Sequence, residues 1–178
     1  MTELAKEYGD GLYALTAEEE LSSTVLEQMQ TLKACFKAQP EYLRLLSNMA
    51  LSKEERVGII DHTLRDQVHP YLLNFLKILC ERGILAEFDG CEEAFRESYN
   101  RDHQIMEALV TTGVPLDDDQ RQKLLGKLAQ MTGKQVHLTE KVDPAVIGGV
   151  LLEMDGKRYD NTLRHRLGAI RQAMVGEA

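Results

Sequence analysis

The sequence predicts an N-terminal six-helix bundle followed by a small C-terminal α+β domain. Three observations lead there. Apolar residues recur at helical spacing through the first hundred residues. From His103 the period changes to short β-branched runs around one capped helix. The chain has 178 residues, which allows one domain or two small ones.

Leu4, Tyr8, Leu12 and Leu15 define the first helix, and Leu21, Val25, Met29, Leu32 and Phe36 the second. Glu18, Glu19 and Glu20 precede the second helix, near the positive end of its dipole. Pro40 opens a short segment, EYLRLLSN. Ser52 with Glu55 three residues on reads as a capping box, starting a helix through Val57, Ile60 and Leu64. Pro70 suits a first helical turn and Gly83 a C-terminal stop. Between them Leu72, Leu73, Phe75, Leu76, Ile78 and Leu79 cover most of the helix circumference, the pattern of a central helix. Phe88, Cys91, Phe95 and Tyr99 define a sixth helix.

HQIMEALVTTG, from His103, reads as a strand ending at Gly113 and Pro115. Asp117 with Gln120 caps a helix through Leu124, Leu125, Leu128 and Met131, stopped by Gly133. KQVHLTEKV is a second strand and VIGGVLLEM a third. Asp155-Gly156 is a favoured two-residue turn, so Lys157 to Asp160 returns as a hairpin partner. Leu163, Leu167, Ile170 and Met174 mark a closing helix, with Asn161 or Asp160 as its cap. The division falls after residue 102, giving domains 1–102 and 103–178.

Hydrophobic residues make up 43% and charged residues 28%, ordinary for a globular protein. No stretch is apolar enough for a membrane span, and MTELAKEYGD carries no secretory signal, so a cytoplasmic chain is expected. Cys35, Cys80 and Cys91 are too widely spaced for a zinc knuckle and suit free thiols. Residues 1–102 hold 11 Lys and Arg against 19 Asp and Glu, whereas residues 103–178 hold 10 of each. The acidic first part disfavours nucleic acid and anionic lipid and suits a basic or amphipathic partner.

Gly148-Gly149, in an apolar run, raises the question of phosphate binding. A P-loop requires Ser or Thr after Gly-Lys, but Arg158 follows Gly156-Lys157, and Leu151 stands where the first glycine belongs. No helix starts at Gly149, so the dinucleotide pattern fails too. The pair therefore marks a bulge, a sharp bend or a close backbone approach. His62, His69, His103, His137 and His165 show no metal-ligand spacing. Asp117, Asp118 and Asp119 could hold magnesium, but capping and dipole effects account for all three. Arg158, Arg164, His165, Arg166 and Arg171 form a basic patch around the last helix, but with no Trp and 6% aromatics base stacking is poorly supplied. An RNA-binding regulator and an enzyme built on Asp117–Asp119 or His137 are the rival readings. Gly9 and Gly11 sit inside the first helix, each costing about 1 kcal/mol relative to Ala. Gly11 falls near Tyr8 and Leu15, where a missing side chain admits a neighbouring helix, from this chain or from another protein.

The order of elements and several short words resemble the delta subunit family of bacterial F-type ATP synthases, counterpart of the mitochondrial oligomycin-sensitivity-conferring protein. Tyr8-Gly9-Asp10-Gly11-Leu12-Tyr13 is similar to the family's opening Y-A-x-A-L-[FY]. Asn74-Phe75-Leu76, Leu79, Arg82-Gly83 and Leu85 are similar to N-F-L-x-x-L-x-x-[KNR]-[GN]-R-L, with Ile84 in place of its Arg. Ala108, Val110, Gly113 and Pro115-Leu116 follow A-x-V-x-[ST]-A-x-P-L, with Gly113 for Ala. Val142-Asp143-Pro144, Ile147-Gly148-Gly149-Val150 and then Asp160, Thr162-Leu163-Arg164 and Leu167 are the most specific words.

The resemblance implies a non-catalytic stator connector with no cofactor, no nucleotide, no nucleic acid partner and no membrane insertion of its own. It implies a peripheral place on the cytoplasmic face of the cell membrane, through the synthase complex. The helical domain would hold an amphipathic N-terminal helix of the alpha subunit between its first and fifth helices. The groove residues expected are Tyr8, Gly11, Leu12, Leu15, Leu76, Ile78 and Leu79, although Leu76 and Ile78 point in opposed directions. The C-terminal domain would engage the C-terminus of the b subunit. Gly83, Gly148, Gly149, Asp160 and Arg164 are expected to be structural.

Overall fold

The computed structural model describes residues 1–48, 50–165 and 167. The fold is mixed α+β: helices followed by a small four-stranded sheet. It divides into two compact units, Met1–Asn100 and Arg101–Ala178. The division lies two residues before the boundary expected from the sequence, inside a helix.

The first unit contains α1 (Glu3–Ala17), α2 (Ser22–Ala38), α3 (Pro40–Leu46), α4 (Lys53–Leu64), α5 (Pro70–Glu81), a 3-10 turn (Leu85–Glu87) and α6, which runs from Phe88 to Asp102. Their ends follow local chemistry. Thr2 accepts from the Ala5 amide to start α1. Ser52 and Glu55 form the reciprocal capping box of α4. Pro70 occupies the first turn of α5, and the His69 imidazole accepts from the Tyr71 amide. After α5, Gly83 takes φ +71; its amide donates to the Cys80 carbonyl and that of Ile84 to the Leu79 carbonyl. This Schellman pattern satisfies carbonyls that the helix end would leave orphaned. Glu18, Glu19 and Glu20 form the turn between α1 and α2, so they also follow the negative end of α1.

Val25, Met29, Leu72, Leu76, Leu79, Phe88 and Phe95 are among the residues buried at the centre of this unit. Gly9 permits a close helix approach: a Cβ there would lie 2.4 Å from the Cys91 carbonyl oxygen and 2.7 Å from the Ala94 Cβ, both on α6. Ion pairs tie the helices where cations reach inward. Lys33 of α2 meets the buried Glu92 of α6 at 2.5 Å, and Lys77 of α5 meets Asp61 of α4.

The second unit contains β1 (Ile105–Thr112), α7 (Asp118–Thr132), β2 (Gln135–Val142), β3 (Val150–Met154) and β4 (Lys157–Asp160). The strand order is β2-β1-β3-β4; β1 and β2 are parallel, joined through α7, and the other pairs are antiparallel. Asp117 and Gln120 form the capping box of α7. Met106, Ala108, Leu128 and Met154 form the core of this unit, with Leu124, Val136, Leu138 and Leu152 against it. Asp155 (φ 51) and Gly156 (φ 69) both take positive φ, as a type I′ hairpin turn requires.

Two expectations change. The third strand starts at Val150, so Val146–Gly149 lie outside the sheet. Gly149 has φ +86, which a strand does not allow, and its position against the Asn161 carbonyl leaves no room for a Cβ. The cap of the helical turn at Leu163–His165 is Thr162, neither Asn161 nor Asp160, because the Thr162 hydroxyl accepts from the His165 amide at 3.2 Å. Ile170 and Met174 of the expected closing helix, with the basic Arg166 and Arg171, lie outside the described residues.

Candidate helix-binding groove

α1 and α5 leave an open groove of about 680 Å³ on the surface of the first unit. From α1 it takes Leu4, Glu7, Tyr8, Gly11, Leu12 and Leu15; from α5, Tyr71, Asn74, Phe75 and Ile78, with Arg82 at the cap just beyond it. Both sets recur at the spacing that puts side chains on one face of a helix. Leu4, Leu15 and Ile78 are 40%, 45% and 43% exposed, so apolar side chains of both walls meet solvent. Leu12 and Phe75 are buried and make the floor. No atom lies within 4 Å of where a Gly11 Cβ would stand, so this glycine opens the groove and packs nothing beneath it.

Polar groups sit at the two ends. The Arg82 guanidinium lies over the Tyr8 ring, 5.9 Å from its centroid. At the other end the Tyr71 hydroxyl donates to Glu19 at 2.5 Å, and that bond to a carboxylate pushes the phenol above its ordinary pKa. The Tyr8 and Phe75 rings meet at 6.4 Å, tilted by 60°.

Leu76 and Leu79 do not line this groove. They are 1% and 0% exposed and belong to the core of the first unit. Leu76 stands two residues before Ile78, about 200° around the helix, so only one of them can face outward. Tyr8, Gly11, Leu12, Leu15 and Ile78 all line it. Sequence reasoning missed Leu4, Glu7, Tyr71, Asn74, Phe75 and Arg82. The signal was the helical stripe through Ile78, which reaches Tyr71, Asn74, Phe75 and Arg82 at i−7, i−4, i−3 and i+4.

In the second unit the expected structural residues gather at one end of the sheet. A Cβ on Gly149 would lie 2.3 Å from the Asn161 carbonyl oxygen, and one on Gly148 would lie 2.9 Å from Leu163 Cδ1. The Asn161 amide donates to Val150 and the Leu163 amide to Gly148. Asp160 accepts from the Thr162 amide at 3.1 Å and the Thr162 hydroxyl at 2.7 Å, and these bonds hold its carboxyl below the usual range. Arg164 is exposed. Asp117 caps α7, Asp118 pairs with Arg121 at 2.8 Å and Asp119 with Lys123 at 2.5 Å, so each acid of that cluster has a partner. Among the described residues no group of three or more His, Cys, Asp or Glu side chains is placed to hold a metal ion.

The model of the family described as ATP synthase delta (OSCP) subunit matches residues 4–174. The chain belongs to this family. Among its relatives is the ATP synthase subunit delta of Alkaliphilus oremlandii, 29% identical over 98% of this chain and 97% of that protein. The ATP synthase subunit delta of Lactiplantibacillus plantarum is 28% identical over 97% of this chain and 95% of that protein. A chain of the Toxoplasma gondii mitochondrial ATP synthase hexamer superposes with a TM-score of 0.76 over 98% of both chains at 16% identity, a likeness of fold. No described helix of this delta-family chain is long and apolar enough to cross a membrane.

Proposed function

We propose that the protein is a non-catalytic stator connector of an F-type ATP synthase, joining the catalytic alpha/beta head to the peripheral stalk and resisting the torque of rotation. Membership of the delta family supports the complex. The open α1–α5 groove carries the mechanical reading, because a cleft with apolar side chains on both walls and an unfilled glycine suits an incoming amphipathic helix. That helix is the N-terminal segment of the alpha subunit. Tyr8, Leu15, Phe75 and Ile78 provide its apolar anchors, and Gly11 lets its axis approach.

The second unit takes the C-terminus of the b subunit. Val142, Ile147 and Leu163 are exposed near the end of the sheet where β1 and β2 finish, an apolar surface a stalk helix can cover. The protein is then peripheral, on the cytoplasmic face of the membrane, through its complex. Titration of the isotope-labelled full chain with an N-terminal peptide of the alpha subunit from the same organism tests the groove. Amide resonances of Gly11, Leu15 and Ile78 move together if the reading is right; an unchanged spectrum refutes it.

A further inference from the structure

A second cavity of about 610 Å³ opens beyond the Arg82 end of the groove and shares Leu4, Tyr8 and Arg82 with it. It lies among the end of α3, the start of α4 and the last turn of α5. Leu46, Cys80, Ile84 and Leu85 give it apolar walls. Its charges are unbalanced: Lys53, Arg56 and Arg82 line it against one carboxylate, Glu81. This is unusual in an acidic unit where Lys33, Lys77, Arg65 and Arg96 each pair with a carboxylate. Lys53, Arg56 and Arg82 have no such partner among the described residues.

The Arg56 guanidinium makes one hydrogen bond among the described residues. Its Nη1 donates to the Leu46 carbonyl at 3.3 Å, whereas its Nε is buried and has no acceptor. That Nε is sealed from solvent, so an incoming carboxylate meets the rest of the guanidinium, whose planar fork matches it. Apolar walls suit a carboxylate that arrives on a peptide side chain, whose methylene groups they can cover.

We propose that this cavity is an anion subsite that receives an Asp or Glu side chain from the segment continuing beyond the helix held in the α1–α5 groove. The source of the carboxylate rests on the groove reading; the subsite itself does not. The peptide chain passes the Tyr8–Arg82 stack and places its acid against Arg56, with Lys53 at the rim.

Two arms test it on the full-length chain. Acetate shifts the Arg56 Nε–H resonance saturably, and Lys53→Gln, at an exposed residue, weakens that response. A resonance that does not respond overturns the subsite, and a response to inorganic phosphate alone overturns the carboxylate. In the second arm each acid of the alpha N-terminal peptide is changed to its amide in turn. One exchange lowers affinity about fivefold for the natural chain, as a partly exposed charge pair does, and leaves Arg56→Gln and Lys53→Gln unaffected. Equal losses in all three proteins, or none, overturn the assigned occupant. A failed groove reads differently: Gly11 and Leu15 stay still with peptide while the acetate response persists, which overturns the peptide source and upholds the anion site.

Discussion

Gly9 and Gly11 stand two residues apart on α1 and face opposite surroundings. The first is pressed against the α6 backbone at Cys91; the second has nothing within 4 Å. One glycine therefore packs the unit and the other keeps a surface open, although both interrupt the same helical pattern.

Substitution separates them. Gly9→Ala forces α6 away and lowers stability by about 1–3 kcal/mol, the usual cost of overpacking. Gly11→Ala raises it by up to about 1 kcal/mol through helix propensity. Gly11→Leu fills the groove, leaves the circular dichroism spectrum intact and abolishes binding of the alpha peptide. Urea denaturation and peptide titration check the three variants, and unchanged peptide binding by Gly11→Leu removes this glycine from the contact.

Leu76 and Ile78 make a second contrast on α5. Leu76→Ala leaves a cavity in the core and costs about 2–5 kcal/mol of stability. Ile78→Ala changes stability little, since the side chain is 43% exposed, but weakens peptide binding by about tenfold or more as an interface anchor. Thermal melts with calorimetric titration distinguish the effects; reversed effects would reverse the outward face of α5.

The Asp160 carboxyl has a folded pKa below its ordinary value because Thr162 donates to it twice. Its contribution to stability is present above about pH 4, the ordinary Asp range, and is lost as pH falls through the folded value. Asp160→Asn lowers the melting temperature of the second unit at neutral pH and flattens its acid dependence. Equal acid slopes for variant and natural chain would contradict the assignment. In the same region Gly149→Ala meets both a positive φ and a backbone oxygen, and costs at least about 2 kcal/mol.

Burial pushes the Cys91 thiol up to about 11, and Cys80 is shifted the same way, chiefly by burial. Cys35 is exposed. A thiol-specific reagent at mildly alkaline pH labels Cys35 at once and reaches Cys80 and Cys91 only as the chain opens. The native state holds the Cys91 proton more tightly than the unfolded chain, so stability falls as pH rises from the ordinary thiol range near 9 through about 11. Prompt modification of all three thiols without denaturant would contradict the packing.

Much of the fold is legible in local chemistry. Ser52 with Glu55, Asp117 with Gln120, Pro70, Gly83 and Asp155-Gly156 each act within a few residues, so their geometry follows from their order. The groove is legible only in part. Helical periodicity identifies the stripe containing Tyr8, Leu12 and Leu15, but α5 is apolar around most of its surface and periodicity cannot rank its faces. That is why the sequence points Leu76 and Leu79 to the groove while packing places them in the core.

Order along the chain thus determined the helices, the hairpin turn, the mismatch of Gly156-Lys157 to a phosphate-loop pattern and the resemblance to the delta family, because each depends on neighbours in sequence. Tertiary packing decided which glycine is filled from behind, which side of α5 meets solvent, and where the Arg56 Nε is left without an acceptor. These depend on contacts between residues far apart in the chain, such as Gly9 with Cys91, and close packing allows each surface only one neighbour.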